Sequence, residues 1–570
     1  MKTLLRLGVS ALAFTAIPAA AQQATFDPQR LSQHVQTLGS DAFEGRAPAS
    51  RGEQLTVDYI SKQFQAAGLE PGGDLKNGRR TWTQEVPLLR SEFAAAPQVS
   101  MNIGGRATPL SQGEQIAVRS PTNGQSAVSL DDAPLVFVGY GVKAPERGWD
   151  DYKGLDARGK ILVMLVNDPD FEGGEGDFGG KAMTYYGRWT YKYEEGARQG
   201  AAGVLVIHET EPASYGWATV KNSNTDATFD IVRKDPGAHH PLLEGWIQRD
   251  LAAQLFSASG TSFEAMKAAA KRKDFRPVPL KADIDVRGTA KTEVVTSHNV
   301  VGLVRGATRP DETVIYMGHW DHLGIGLPDA TGDRIFNGAI DNATGIAQLI
   351  EQGRAFASGP RPQRSVVFMA VTAEEKGLLG SEYYASNPLY PAGKTAGAIN
   401  TDVLGVLGPA RDYSVRGNQK FGLLDILQEE AAKRGRRFTP DPNAGTGTFY
   451  RSDHFTFAKA GIPALSFTPG RDLVNGGVAR AEAWAKNYTA TMYHQPADEF
   501  SPDWDFTGMA ADAELLHAVG LRLANSNEWP NWSADSEFRA KRDESAAERG
   551  APAPSQPPPP ADQPRRGERG

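Results

Sequence analysis

Five polar groups in the C-terminal half of the chain have the types and settings of metal ligands. They are His319 in Gly318-His319-Trp320-Asp321-His322, Asp341 in Gly338-Ala339-Ile340-Asp341-Asn342, Glu375 in the pair Glu374-Glu375, Asp402 in Asn400-Thr401-Asp402, and His494 in Tyr493-His494. Imidazole with carboxylate is a hard-to-borderline donor set for one or two divalent ions, and it favours zinc. Charge favours two ions: they bring four positive charges, three carboxylates bring three negative, and a bridging hydroxide makes the site neutral. A neutral cluster is easier to bury. Glu374 is then the spare carboxylate, without a metal and free to take a proton from water. Taken alone, two acids after an apolar run are explained by a helix start, where the macrodipole favours negative charge. The other four groups argue against that simpler explanation.

The elements that must position these groups are strands. Asn299–Val304, Thr313–Met317, Ser365–Val371, Ala398–Val403 and Ile462–Phe467 are apolar, β-branched runs; the second and third are each followed by one of the polar motifs, and the fourth carries Asn400-Thr401-Asp402 at its end. They alternate with helical periodicity over Gly345–Ala357, Phe421–Arg434 and Gly508–Asn525. Such alternation predicts an α/β sheet with helices on both faces, which binds ligands beyond the strand ends. Upstream, Leu31, Val35 and Leu38, then Val57, Ile60 and Phe64, recur at helical spacing.

At 570 residues and 61.3 kDa the chain is too long for one compact unit. The expected division is a secretory leader over 1–21, a first part of the main domain over 22–125, an α/β insert over 126–277, the main domain again over 278–530, and a disordered tail over 531–570. The leader rests on Lys2 and Arg6 flanking the apolar run Leu4–Ile17, which ends in Ala19-Ala20-Ala21. That run is too short to span a bilayer, so an exported periplasmic or extracellular protein without a membrane anchor is expected. The tail rests on its Pro, Arg and Glu content, including Pro557-Pro558-Pro559-Pro560. A net charge of -7 speaks against nucleic acid as a partner. With no cysteine, thiolate ligands and disulfides are excluded.

The order HxD, then Asp341 in GAIDNATG, then the Glu pair, then Asp402 in NTD, then His494 in YHxxxD resembles the M28 family of co-catalytic zinc peptidases, which includes bacterial aminopeptidases and the glutamate carboxypeptidases. Within the expected insert, Gly139-Tyr140-Gly141, LDARGKI over 155–161 and ARQGAAGVL over 197–205 resemble the protease-associated domain. The resemblance implies an α/β fold with a mixed central sheet flanked by helices, two zinc ions per chain and peptide substrates. It makes Asp341 the carboxylate shared by both ions, with His319 and Asp402 completing one site and Glu375 and His494 the other. Glu374 becomes the general base. Asp321 and Asp498 fall where the family orients the two imidazoles, Tyr450 falls near a tyrosine that stabilises the oxyanion, and a cis peptide is implied after Asp341. Aminopeptidase activity is the leading expectation, glutamate carboxypeptidase-like activity the alternative, and a non-catalytic binding scaffold the remote one. His322 and His454, beside these motifs, read as structural histidines. The preferred residue and the oligomeric state are not encoded in spacing.

Overall fold

The computed structural model describes residues 26–173, 176–534 and 536–549. The expected leader and the last part of the expected tail, 550–570, lie outside the described residues. Helix α1 (Pro28–Leu38) starts at Asp27, whose side chain accepts from the Gln29 amide, and buries Leu31, Val35 and Leu38. Helix α2 (Arg51–Ala66) starts at Ser50, which accepts from Glu53, and buries Ile60 and Phe64. Side-chain oxygens at these positions satisfy amides that have no partner within the helix.

Seventeen strands join in one network. In chain order they are β1 (Glu70–Pro71), β2 (Thr83–Phe93), β3 (Gln98–Ile103), β4 (Arg106–Leu110), β5 (Ile116–Val118), β6 (Ala127–Phe137), β7 (Ile161–Leu165), β8 (Gly203–His208), β9 (Thr228–Ile231), β10 (Leu243–Gln248), β11 (Val278–Val304), β12 (Arg309–His319), β13 (Arg364–Val371), β14 (Thr395–Thr401), β15 (Asp412–Val415), β16 (Arg437–Phe438) and β17 (Ala464–Pro469). The network divides into two sheets that share β11. One runs β9-β2-β11-β13-β12-β14-β17-β15-β16, with β13, β12, β14 and β17 mutually parallel and with β1 also on β11. The other runs β4-β3-β11-β6-β7-β8-β10-β5. The strands expected near 300, 315, 368, 400 and 465 are all present, and the fold is a mixed α/β sheet with helices on its faces.

Each sheet has its own core. Val314, Tyr316, Phe368 and Ile399 pack with α1, α2 and the helices α4 (Thr344–Ser358) and α6 (Thr507–Asn525) in the first, whereas Val99, Ile161, Val163, Leu205 and Ile284 form the second. The second sheet is larger than the expected insert. It takes in 98–118, and it reaches Thr289 of β11. Pro279 lies within β11, where a register shift between Pro279 and Asp283 accommodates it. Within the second sheet's domain, the aromatic run ahead of β8 is helical over Trp189–Arg198.

The tail departs from expectation as well. Phe421 in front of helix α5 (Gly422–Ala432) bridges to Trp532, Phe538 packs on Trp532 with ring centroids 5.0 Å apart, and Arg539–Glu544 is helical. A few large aromatics anchor residues that composition alone marks as unstructured. Among the described residues, no helix is long and apolar enough to cross a membrane.

The second sheet rests on the first through β9, which pairs with β2, and through Arg233, which bridges Asp230 and Glu382. His240 joins this cluster, 3.1 Å from Asp230 and 2.8 Å from Glu244. Burial opposes its protonation, but Glu244 and Asp230 outweigh burial and push its pKa from 6.5 up to about 10. The raised value stabilises the folded state fully below about pH 6.5, and the contribution is lost as pH rises through about 10. Thermal unfolding of His240→Gln followed from neutral pH to pH 10 is expected to show a shallower fall in Tm than the parent protein; parallel curves would refute the assignment.

Candidate metal centre

The parallel strands end side by side, His319 at the end of β12 pairing with Val371 at the end of β13. Glu374 and Glu375 follow β13, and Asp402 follows β14, so three strand ends deliver the donors to one crevice. Asp341 comes from the segment Ala339–Ala343 in front of α4, where the Asp341–Asn342 peptide is cis. Asn342 ties this segment to β14: its amide donates to the Thr401 carbonyl (3.0 Å), and its oxygen accepts from Gly345 and Val403.

The five donors converge, and they do so in two halves. Asp341 Oδ1 lies 3.2 Å from His319 Nε2, which is 3.4 Å from Asp402 Oδ1. Asp341 Oδ2 lies 3.4 Å from His494 Nε2, which is 3.0 Å from Glu375 Oε2. His319, Asp341 and Glu375 each offer an atom within 4.8 Å of the others, and so do His319, Glu374 and Asp402. All five side chains are nearly inaccessible, with His494 the most exposed at 10%. Buried acids in such numbers need positive charge, and the cations at hand are few. Arg416 takes Asp402, 3.3 Å from Oδ2 and 3.1 Å from its carbonyl. Facing nitrogens and oxygens in a buried, acid-rich cluster suit divalent cations such as zinc.

The adjacent acids have different electrostatics. For Glu375, burial and Asp341 favour the neutral form, but His494 and His322 prevail and hold its pKa at about 2. For Glu374, burial together with Glu375, Asp402 and Asp453 raises the pKa well above the ordinary value, and His319 opposes this only in part. Glu374 therefore has high proton affinity beside a neighbour that stays charged.

Asp321 and Asp498, expected to orient the imidazoles, each hold backbone amides, and the Asp321 carboxylate also lies 3.8 Å from His319 Nδ1. The Asp321 carboxylate accepts from the backbone amides of Glu374 (3.0 Å) and Glu375 (3.3 Å), and it is the Asp321 carbonyl that meets His319 Nδ1, at 3.1 Å. Burial raises the Asp321 pKa to about 7. Asp498 does not touch His494. Its oxygens accept from the amides of Ile340 (2.9 Å) and Asp341 (3.1 Å), so it fixes the Asp341 backbone, and burial raises its pKa to about 7. The physical reason is that a carboxylate between two successive amides is better satisfied than one sharing a single ring N–H. Tyr450 also departs from expectation: its hydroxyl faces Glu537 of the ordered tail, at 3.5 Å. Tyr493 instead lies against the centre, its ring 3.9 Å from that of His494.

Several contributors were not legible as such. His322 Nδ1 is 2.7 Å from Glu375 Oε1, so this histidine holds the ligand's other oxygen. Arg46, 1% exposed, donates to the carbonyls of Trp320, Leu38, Asn337 and Gly338, at 2.6–2.8 Å, and clamps the loops bearing His319 and Asp341. Ser223 lies 3.0 Å from His494 Nδ1. Among these, only His322 carried any signal in the sequence, its place beside His319. His454 is buried against Phe449 without a polar partner, in keeping with a structural role.

Two cavities meet over the cluster. The larger, about 860 Å³, is lined by Asp341, Asp402, Arg416 and Trp484; the smaller, about 140 Å³, by Glu375, Arg188 and Tyr450. Glu374, Arg451, Tyr493 and His494 face both.

Against known proteins, residues 299–517 match the sequence profile of peptidase family M28. The match spans β12, β13, β14 and β17 and includes His319, Asp341, Glu375, Asp402 and His494. Over 107 residues the chain is 35% identical to a protein named probable zinc metalloprotease from Pyricularia oryzae, covering 19% of this chain and 21% of that one. Over 167 residues it is 31% identical to mouse aminopeptidase NAALADL1, covering 27% and 21%. The chain thus spans about a fifth of the length of these curated relatives. The chain has the fold of the aminopeptidase from Aneurinibacillus sp. strain AM-1, with a TM-score of 0.52, 19% identity, and 88% and 95% of the two chains covered.

Proposed function

We propose that the protein is an exported di-zinc exopeptidase that removes residues from the N-terminus of peptides. The observation that carries this reading is the division of Asp341, whose two oxygens face different imidazoles. His319 and Asp402 would hold one ion, Glu375 and His494 the other, with Asp341 shared. When bound, the zinc ions would polarise the scissile carbonyl and make water a stronger acid. Glu374 would take the proton from that water and return it to the leaving amine, a role suited to its high proton affinity. Tyr493, packed on His494, is the tyrosine placed to meet charge developing on the carbonyl oxygen. The second sheet corresponds in this reading to a protease-associated domain. The aminopeptidase names among the relatives support the choice of terminus.

A second reading, cleavage beside a C-terminal residue, is favoured by the smaller cavity. Arg188 and Arg451 line it, and Arg188 Nε is buried without a hydrogen-bond partner. Guanidinium groups suit a terminal carboxylate. Assays of one dipeptide blocked at its amino end and one blocked at its carboxyl end, each with and without a chelator, separate the readings. Chelator-sensitive cleavage of the carboxy-blocked dipeptide alone is the expected result. Cleavage of the amino-blocked one alone would move the assignment to a carboxypeptidase, and cleavage of neither would remove the exopeptidase reading.

A further inference from the structure

The two imidazoles of the centre are held in different ways. His319 directs Nδ1 to the carbonyl of Asp321, two residues away in its own loop. His494 directs Nδ1 to a residue of the second sheet's domain: Ser223 Oγ, 3.0 Å away, on helix α3 (Trp217–Asn224). Its Nε2 faces Asp341 and Glu375; with an ion held there, Nδ1 would carry the ring proton and donate it to the Ser223 hydroxyl. The same helix holds the backbone of the same residue, because Asn222 Nδ2 donates to the His494 carbonyl at 3.1 Å. That backbone needs holding: His494 has φ 56°, a left-handed conformation that a non-glycine residue rarely adopts. Close by, Arg451 donates to Ser214 at 2.6 Å, a second tie between the two domains at the rim of the cleft.

We infer that helix α3 is a working part of the His494 half of the metal centre, with Ser223 and Asn222 as positioning residues that set the ring and backbone of a ligand they do not share a domain with. The inference rests on the two-ion reading above. A ligand ring fixed through its outer nitrogen binds its ion more tightly, so docking of the second domain and filling of this half site favour each other, and linkage makes the effect reciprocal. The His319 half, oriented within its own loop, is independent of α3.

The test is a zinc titration of the full chain against a competing chelator, paired with amide hydrogen exchange. Wild-type protein is expected to take up two equivalents. Ser223→Ala is expected to weaken one of them by about 10–100-fold and leave the other unchanged, with Ser223→Thr restoring the wild-type value because it keeps the hydroxyl. In wild-type protein, exchange across 217–224 is expected to slow when zinc is added. Unchanged affinity for both equivalents in Ser223→Ala, or exchange over 217–224 that zinc does not alter, overturns the inference while leaving the peptidase reading intact. A wild-type chain that takes up a single equivalent defeats the two-ion reading, and the inference falls with it.

Discussion

Glu374→Gln is expected to lower turnover by about 10²–10⁴-fold, the range for loss of a general base, while zinc content stays at the wild-type level. The amide fills the same space but cannot accept the proton. The adjacent change, Glu375→Ala, is expected to act through metal: it removes the oxygen 3.0 Å from His494 and the partner of His322, so zinc content falls and activity falls with it. Metal analysis of both purified variants beside their turnover numbers separates the two roles. If Glu374→Gln loses zinc, or keeps wild-type turnover, the division of labour between the neighbours is wrong. Opposite electrostatics give the expectation its basis, since one acid stays ionised at low pH and the other has its pKa raised by burial and by the acids around it.

Arg46→Ala should carry the largest cost in stability. The guanidinium is buried, donates to four carbonyls, and sits in the field of Asp498, Asp321, Asp341 and Glu375. Burial lowers its pKa to about 10, and it remains charged at neutral pH. Removing it strands four buried acceptors and takes a cation from beside buried acids, a loss of about 3–5 kcal/mol by comparison with other broken buried ion pairs. Arg46→Lys recovers only part, because an ammonium cannot reproduce a planar fork aimed at separate carbonyls. Equilibrium unfolding of both variants measures the loss, and zinc content is expected to drop with stability because both ligand loops hang on this side chain. A variant as stable as the parent would show that the loops hold themselves.

The parts of the centre that the sequence disclosed are those written locally. An apolar strand followed at once by His319, Glu374-Glu375 or Asp402 can be read without knowing what lies across from it. What escaped depends on partners remote in the chain. Arg46 meets Trp320 across 274 positions, and Ser223 meets His494 across 271. Asp498 shows the same limit in another form. Its position within the motif is informative, but whether a carboxylate there serves an imidazole or a pair of amides is settled by where the Ile340–Asp341 backbone arrives. The 27-residue strand that joins the two sheets begins at Val278, beside the expected boundary, and nothing local in the sequence shows that it runs through both sheets. The ordered part of the tail was missed because the apolar residues that pin it are few, though large.

That long strand carries a lesson about how such a domain is carried by its host. Phe93 at the end of β2 and Ala290 in β11 are direct cross-strand partners, so the polypeptide leaves the host sheet and re-enters it at neighbouring points, as if a hairpin turn had been opened to admit nearly two hundred residues. Closing the gap again would ask only for a short turn. The guest has nevertheless become hard to evict: β9 covers the outer edge of β2, and an uncovered strand edge invites pairing with other chains. A chain cut back to that hairpin would expose a sheet margin and leave His494 without Ser223, its outer partner, so the guest supports its host as well as riding on it.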